Sequence, residues 1–381
     1  MYRNAVIRVA YVFVLKPIFF LADPERVHDR MVGVGKFLGE FALTRRVTHV
    51  LFDFSDWRLE QNILGIHFKN PVGLAAGFDK NADLLSIVSS VGFGFAEVGS
   101  ITGEPCAGNP KPRLWRLPKS QSLAGHYGLK NDGASCIYHR VANRLRTVPV
   151  GTNIAMTNCR DTIDIHNAIR DYAKSFRIFA ERDSGGSYFT VNVSCPNTLG
   201  GQPFMDPDNL DLLLAELDAI QTVKPVFIKL SPDVSLETVD QILDIAHSHR
   251  IHGIICTNLT KKRDSQKILD AYVPAIGGLS GKLVQDASDA LLAHIYSQEH
   301  RQGSSNKNHF VLIGLGGVFT ALDAYKKIRL GANLVQLITG MIFEGPQSVS
   351  EINRGLASLL IRDGFQSINE VVGIDNPGSR V

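Results

Sequence analysis

The sequence predicts an α/β protein, a (β/α)8 TIM barrel preceded by an N-terminal helical extension that associates with a membrane. Three observations support this prediction. Eight short apolar runs alternate with helical patterns from Asn70 onward. Polar residues and glycines cluster at the carboxyl ends of these runs. Two amphipathic helical segments precede the first run.

The eight apolar runs are the predicted barrel strands. Each is nearly continuous in hydrophobic residues, which is typical of a parallel sheet buried on both faces. Eight such runs with helical patterns between them indicate a (β/α)8 barrel. The runs span residues 71–77, 94–100, 150–155, 188–194, 225–231, 253–258, 311–317 and 334–340.

Polar side chains stand where these strands end. In this fold the carboxyl ends of the strands form the catalytic face, and phosphate is usually held by the loops after strands seven and eight. Any single residue of this kind could merely cap the next helix, but the agreement of so many ends favours a site. The side chains are Lys80, Ser100, Asn153, Asn192, Lys229, Thr257 and Asn258, and the glycines of GLGG and TG follow strands seven and eight.

Two connections are longer than barrel loops usually are. The first, Ile101–Asn131, follows strand two, and the second, Leu259–Lys282, follows strand six. The second is charged and ends in GGLSG, so it could form a lid hinged on glycines. The alternative is a solvated excursion without function.

The N-terminus predicts two amphipathic helices. The apolar stretch Ala5–Ala22 is interrupted by Arg8, Lys16 and Pro17, which argues against a transmembrane span. A second helical pattern begins at Asp23 and Pro24. We expect residues 1–45 to form an extension lying in a membrane interface and residues 46–381 to form the barrel. The alternative is a helical cap on the barrel.

Composition excludes several classes. The chain has 381 residues, of which 44% are hydrophobic and 20% charged, and its formal net charge is +3. Such a small charge, without a basic and aromatic cluster, gives no indication of nucleic-acid binding. Five scattered cysteines without a CxxC pair argue against a disulfide framework, and no zinc-ligand spacing is present, so we expect no metal.

Cys195, in the segment NVSCPNT, lies at the carboxyl end of strand four. A thiol at the end of a strand can fill the core, bind a metal, act as a nucleophile or accept a proton. An ordinary thiol has a pKa of about 8.5, which suits general-base work near neutrality if the surroundings help. The other four cysteines are expected to be structural.

The ordered motifs resemble those of dihydroorotate dehydrogenases. They are NPVGLAAGFDKNAD, GFAEVGSIT, GNPKPRLWRLP, NVSCPNT, IKLSPD, TNLT, GGLSG, IGLGGV and VQLITGMIFEGP, and the match runs from about Lys16 to about Asp375. The segments KPIFFLADPERVHD and RDGFQSINEVVGID look like the membrane-associated, quinone-using class 2 enzymes. The resemblance implies FMN-dependent oxidation of dihydroorotate to orotate in pyrimidine synthesis, with a quinone as acceptor. It also implies a peripheral location on the cytoplasmic side of the cell membrane.

The resemblance implies roles for particular residues. Cys195 occupies the position of the catalytic base, although class 2 enzymes ordinarily carry Ser there. Positions that bind orotate in the family are matched by Lys80, Asn192, Asn197 and Asn258. The implied FMN site comprises Ala76, Gly77, Phe78, Asp79, Lys80, Ser100, Asn153, Asn192, Lys229, Thr257, Gly281, Gly317, Ile338 and Thr339.

The segment GHYGLKND at 125–132 departs from the family pattern. Gly125, His126, Leu129 and Lys130 stand where the family usually has Asn, Arg, Phe and Asn, and Leu259 replaces a Thr. Losing a hydrogen bond to a buried polar ligand group typically costs about 1–3 kcal/mol. Two alternatives therefore stay open: a related flavin oxidoreductase acting on another cyclic dihydro-amide such as a dihydropyrimidine, and a flavin-binding membrane protein without turnover.

Overall fold

Eight parallel strands close into a barrel in the computed structural model, which describes residues 2–181, 186–301 and 309–376. Each strand pairs with the next along the chain, and the eighth pairs with the first. Every predicted run contains or overlaps one strand, so the predicted (β/α)8 barrel is confirmed. The strands are β1 Val72–Leu74, β2 Phe95–Ile101, β3 Val150–Ile154, β4 Tyr188–Asn192, β5 Val226–Leu230, β6 Gly253–Cys256, β7 Val311–Leu315 and β8 Leu334–Leu337.

Aromatic rings fill the amino-terminal half of the barrel interior. Three of these rings lie directly opposite a glycine on the neighbouring strand, where a Cβ would approach the ring within 2.3–2.4 Å. In each of these pairs, a glycine without a side chain leaves room for the large ring on the neighbouring strand. This packing closes the lower half of the barrel, and the open space lies at the carboxyl ends. The pairs are Gly73 with Phe95, Gly151 with Tyr188 and Gly253 with Phe227.

Helices surround the barrel, as expected for alternating β and α elements. Several begin at an Asp, Ser or Thr whose side chain accepts a hydrogen bond from the first turn, as Ser235 does from Thr238. The helices after β2 are Ala134–Asn143, Ile165–Ala180, Pro207–Asp218, Leu236–Ser248, Gln285–Glu299, Ala321–Arg329, Thr339–Glu344 and Ser348–Asp363. Short 3₁₀ turns lie at Trp57–Leu59, Val88–Val91, Asp161–Ile163, Pro203–Met205, Gly281–Val284 and Ile368–Val371.

The two long connections pair with each other above the barrel. Leu114–Leu117 and Ser122–Gly125 form an antiparallel hairpin, and Gly278–Leu279 adds a third strand beside Ser122–Gly125. The predicted glycine-hinged segment therefore ends in this covering sheet. A separate hairpin of Gln61–Ile63 and Ile66–Phe68 precedes β1.

Three helical segments precede the barrel. The first runs from Tyr2–Ala10 through a π-helical turn at Tyr11–Leu15 into Lys16–Leu21. The second, Pro24–Glu40, begins as predicted, because the Asp23 side chain accepts a hydrogen bond from the Arg26 backbone N–H. A third helix, Ala42–Phe52, was not predicted, and it crosses the expected boundary at residue 45.

The first helix has two different sides. On one side Asn4 donates to Ser350 Oγ at 2.8 Å, Arg8 pairs with Glu344 at 2.9 Å, and the Tyr11 hydroxyl donates to the Ile342 carbonyl at 2.6 Å. The other side exposes apolar residues, including Phe13, which is 74% exposed. By length and composition alone, Arg3–Leu21 could cross a membrane, and it is the one such helix among the described residues.

A buried ammonium supports the strand ends from outside the barrel. Lys327 is fully buried, and its Nζ donates to Asp289 Oδ1 at 2.6 Å and to Ser288 Oγ at 2.8 Å. The Ser288 hydroxyl lies 2.7 Å from the carbonyl of Leu315 and 3.2 Å from that of Cys256, the last residues of β7 and β6. Through Ser288, the ion pair therefore contacts the carboxyl ends of β6 and β7, which are followed by residues that line the cleft.

Removing one partner of this pair is expected to destabilise the protein more than removing both. Asp289→Leu leaves the buried ammonium uncompensated and should lower the free energy of unfolding by about 3–5 kcal/mol. Replacing both residues, Asp289→Leu with Lys327→Met, should recover most of that loss, because no buried charge remains. Equilibrium unfolding in urea measures both variants, and equal destabilisation of the single and double variants would contradict this account.

Candidate active site

A cleft opens at the carboxyl ends of the strands, beneath the covering sheet. The empty space inside it is about 1230 Å³, which includes solvent space at its open mouth. Most of the residues expected to line a site do line it: Ala76, Gly77, Lys80, Ser100, Asn192, Cys195, Asn197, Lys229, Thr257, Asn258, Gly281, Gly317, Ile338 and Thr339.

Three expected cofactor residues lie just behind the lining. Phe78 packs edge-on against the His28 ring, with 5.1 Å between ring centres. The buried Asp79 carboxylate accepts hydrogen bonds from the backbone N–H groups of Asp83 and Leu84, so it fixes the loop after β1. Asn153 lies beneath Ser100. These three residues position the lining rather than form it.

Amide side chains on the floor of the cleft hold one another in place. Ser100 Oγ donates to Asn153 Oδ1 at 2.5 Å, and Asn192 Nδ2 donates to Ser100 Oγ at 2.8 Å. Asn258 Nδ2 lies 3.1 Å from both Asn192 Oδ1 and Ser194 Oγ. Because these hydrogen bonds hold the amides in place, the network fixes which of their polar groups a ligand meets.

Cys195 lies at the edge of this network and is partly exposed to the cleft. Burial raises the pKa of its thiol to about 11, while the Asn197 backbone N–H and the Lys229 ammonium oppose the rise. The neighbouring Asn197 is also oriented, because its Nδ2 donates to the Gly125 carbonyl at 3.0 Å. The thiol is therefore protonated at neutral pH and gains thiolate as the pH rises.

Lys229 and the glycine loops after β7 and β8 also line the cleft. The Lys229 ammonium is buried, and its Nζ has no hydrogen-bond partner among residues 2–181, 186–301 and 309–376. Burial lowers its pKa, against the opposing effect of Glu97. A buried cation that faces a cleft in this way suits an electron-rich ring atom of a cofactor.

The loops after β7 and β8 approach each other closely. Gly317 has φ of +75°, and a Cβ at Gly340 would lie 2.1 Å from the Val318 carbonyl oxygen. The Thr339 and Ser280 hydroxyls lie 2.8 Å apart beside them. Backbone N–H groups in such a cradle suit a phosphate, so the lining fits a phosphorylated flavin.

The second N-terminal helix reaches the cleft through His28. Lys80 Nζ lies 3.2 Å from His28 Nε2 and 4.2 Å from the centre of the Tyr127 ring. Burial lowers the pKa of Lys80 to about 8 and that of His28 to about 2, so the imidazole is neutral and can accept from the ammonium. Sequence reasoning missed His28 and Tyr127 as neighbours of Lys80.

A buried ion pair joins the same helix to the covering sheet. Arg113 donates to both carboxylate oxygens of Glu25, with Nη2 to Oε1 at 2.7 Å. Both side chains are buried, and Arg113 also donates to the carbonyls of Ala107 and Asn109. Glu25 and His28 are three residues apart and lie on one helix face, so the same face contacts both the covering sheet and the cleft.

Residues that depart from the family pattern lie together on one wall. Gly125, Leu129 and Leu259 all line the cleft, and a Cβ at Gly125 would lie 3.9 Å from Leu259 Cδ1. None of these side chains can donate or accept a hydrogen bond. At Gly125 and Leu259 this wall is therefore apolar where the family pattern has an Asn and a Thr, whereas Leu129 replaces a residue that is itself apolar, Phe.

Comparison with known proteins agrees with this arrangement. The family model described as dihydroorotate dehydrogenase matches residues 58–360. The chain belongs to the dihydroorotate dehydrogenase family. Members of this family use a flavin, and both glycine loops and Lys229 fall within the matched region.

Several dihydroorotate dehydrogenases are similar over nearly their whole length. The chain is 38% identical to dihydroorotate dehydrogenase (quinone) of Gloeobacter violaceus, covering 94% of this chain and 97% of that protein. It is 40% identical to the enzyme of the same name from Crocosphaera subtropica, covering 93% and 94%. The structure of DHODH from Eimeria tenella in complex with ferulenol superposes with a TM-score of 0.80 at 29% identity, covering 93% of this chain and 96% of that chain.

Proposed function

We propose that the protein oxidises dihydroorotate to orotate with a bound flavin and passes the electrons to a quinone, a reaction of de novo pyrimidine synthesis. The observation that carries this proposal is the set of side chains around one cleft. A cation, three amides and a thiol face the same space in a chain similar to quinone-dependent dihydroorotate dehydrogenases. They are Lys80, Asn192, Asn197, Asn258 and Cys195.

Each group has a task in this reaction. Oxidising the ring removes a proton from C5 and a hydride from C6. A bound flavin supplies the acceptor for the hydride. Cys195 Sγ is the group that would accept the C5 proton. The amides of Asn192, Asn197 and Asn258 both donate and accept, which suits a ring carrying N–H and C=O groups. Lys80 suits the substrate carboxylate.

We propose FMN as the flavin. Support comes from the adjacent loops at Gly317 and Gly340, which together suit a terminal phosphate. The residues proposed to surround it include Gly281 and Thr339, with Lys229 towards the ring. Asn153, Asp79 and Phe78, which do not line the cleft, would hold the cofactor-binding residues in position.

Flavin released by denaturing the purified protein is expected to be FMN. The reason is that the loops after β7 and β8 suit a terminal phosphate, whereas the corresponding phosphate of FAD is joined to an adenylate. Chromatography of the released flavin against FMN and FAD standards makes the measurement. Recovery of FAD would contradict the assignment.

Replacing Cys195 tests the base directly. Cys195→Ala should bind flavin and substrate, yet its flavin should be reduced about 10²–10⁴-fold more slowly, because the positioned proton acceptor is gone. Burial raises the pKa of the wild-type thiol to about 11. The wild-type rate should therefore keep rising with pH through the neutral range. Anaerobic stopped-flow absorbance measures both.

Two further variants control this experiment. Cys195→Ser should keep some activity with its pH dependence moved higher, since a hydroxyl is the weaker acid. Cys136→Ala removes an exposed thiol outside the cleft lining and should leave flavin reduction unchanged. Reduction by Cys195→Ala at the wild-type rate, or a wild-type rate that levels off below pH 8, would place the base elsewhere.

We also propose that residues 1–45 hold the protein on the cytoplasmic surface of the cell membrane and give a quinone access to the flavin. Support comes from the exposed apolar sides of the N-terminal helices, where Phe13 is 74% and Phe37 57% exposed. The polar side of the first helix is already occupied by the barrel, through Arg8 and Glu344. An interfacial helix fits this arrangement.

A negative charge on the apolar sides of the N-terminal helices should impair quinone reduction without impairing flavin reduction by dihydroorotate. Phe13→Glu with Phe37→Glu is expected to reduce vesicle binding and quinone reduction, while dihydroorotate still reduces the flavin at the wild-type rate. Leu212→Glu, at a position 49% exposed on a barrel helix, is the matched control and should change neither. Sedimentation with lipid vesicles and quinone-reduction assays make the measurement. Equal quinone reduction in all three proteins would contradict the proposed route.

A further inference from the structure

Lys130 is a second lysine in the cleft, and the family pattern does not supply it. Its side chain lines the cleft together with Lys80 and is 38% exposed. Its nearest carboxylate oxygen is Glu25 Oε1, at 3.7 Å, which is too long for a hydrogen bond. Within the described part of the chain the ammonium thus forms a loose ion pair with Glu25 but no side-chain hydrogen bond, which leaves its N–H groups for a ligand in the cleft.

The backbone holds this position firmly. Gly128 and Leu129 both have left-handed backbone, with φ of +64° and +60°, and turn the chain just before Lys130. The buried Asn131 follows, and its backbone N–H and carbonyl exchange hydrogen bonds with Cys106, each at 2.9 Å. Asn131 Nδ2 also donates to Thr102 Oγ1 at 2.7 Å. The backbone at Lys130 is thus held in place by its neighbours, while the long Lys130 side chain can move within the cleft.

The charges around this point place two ammonium groups, Lys80 and Lys130, at the cleft. The Glu25 carboxylate is occupied by the guanidinium of Arg113, at 2.7 Å. Burial is the main cause of the lowered pKa of Lys80. The nearby Lys130 ammonium also lowers this pKa, and the Asp29 carboxylate opposes the change. Two ammonium groups that face one cleft favour an anionic ligand.

The same wall offers few other means of recognition. Gly125, Leu129 and Leu259 cannot form side-chain hydrogen bonds, and the Gly125 carbonyl already accepts from Asn197 Nδ2 at 3.0 Å. A polar ring bound here therefore lacks amide partners on this side. Next to this wall, the Lys130 ammonium can interact with a negative charge on the ligand.

We propose that Lys130, together with Lys80, binds the carboxylate of the substrate and makes the negative charge of that group the main determinant of substrate choice. This inference rests on the proposed function, because it assumes a carboxylated ring in the cleft. Lys130 thereby replaces, by charge, the hydrogen bonds that the apolar wall lacks.

Binding of orotate to the oxidised holoprotein tests the proposal, measured by isothermal titration calorimetry. Lys130→Gln should raise the dissociation constant at least about tenfold, the scale of a lost charge-assisted hydrogen bond. Lys130→Arg should stay within about threefold of wild type, because the charge is kept. Lys111→Gln is the matched control: Lys111 also lies near Glu25, at 3.5 Å, but is 63% exposed and outside the cleft lining. It should change the constant less than twofold.

The outcomes separate this proposal from the proposed function. A dissociation constant in Lys130→Gln within twofold of wild type would overturn the inference alone. Equal weakening in Lys111→Gln and Lys130→Gln would also overturn it, because the effect would then come from general charge near Glu25. Wild-type protein that binds no orotate would overturn the proposed function together with the inference.

Discussion

Closure of the eight parallel strands is the constraint on which the rest of the structure depends. It brings every carboxyl end to one rim, so residues far apart in sequence share a cleft. The polar groups there are largely removed from water, and each must find a partner. The chain of contacts from Asn153 through Ser100 and Asn192 to Asn258 meets that requirement. These hydrogen bonds give the buried amides partners and also orient them towards the cleft.

The N-terminal helices are coupled to this cleft, not merely attached to the barrel. Glu25 forms a buried ion pair with Arg113 of the covering sheet, and His28 lies beside Lys80. Removing one partner of a buried pair is costly because an uncompensated charge remains. The helices that expose apolar surface therefore cannot separate from the barrel without disturbing the proposed substrate lysine. The exposed apolar face of these helices and the cleft are in this way parts of one packed unit.

Sequence patterns predicted the barrel well because buried parallel strands are continuous apolar runs. All eight strands, and the helix start at Asp23, were visible locally. The covering sheet was not, because Ser122–Gly125 pairs with Gly278–Leu279 across more than a hundred residues without a local signal. The site was predicted mainly through family resemblance, which located the lining but could not show that Phe78, Asp79 and Asn153 lie behind it. Charge contacts such as Glu25 with Arg113 depend on how the helices dock, which sequence periodicity does not specify.

The central claim is that this cleft oxidises dihydroorotate despite its apolar wall at Gly125, Leu129 and Leu259. Anaerobic addition of dihydroorotate to the purified yellow protein tests it most directly, with flavin absorbance and orotate both recorded. The account predicts that the flavin bleaches as an equimolar amount of orotate forms, and that a quinone then restores the colour. Flavin that dihydroorotate leaves oxidised, or that bleaches only with other dihydropyrimidines, would contradict it.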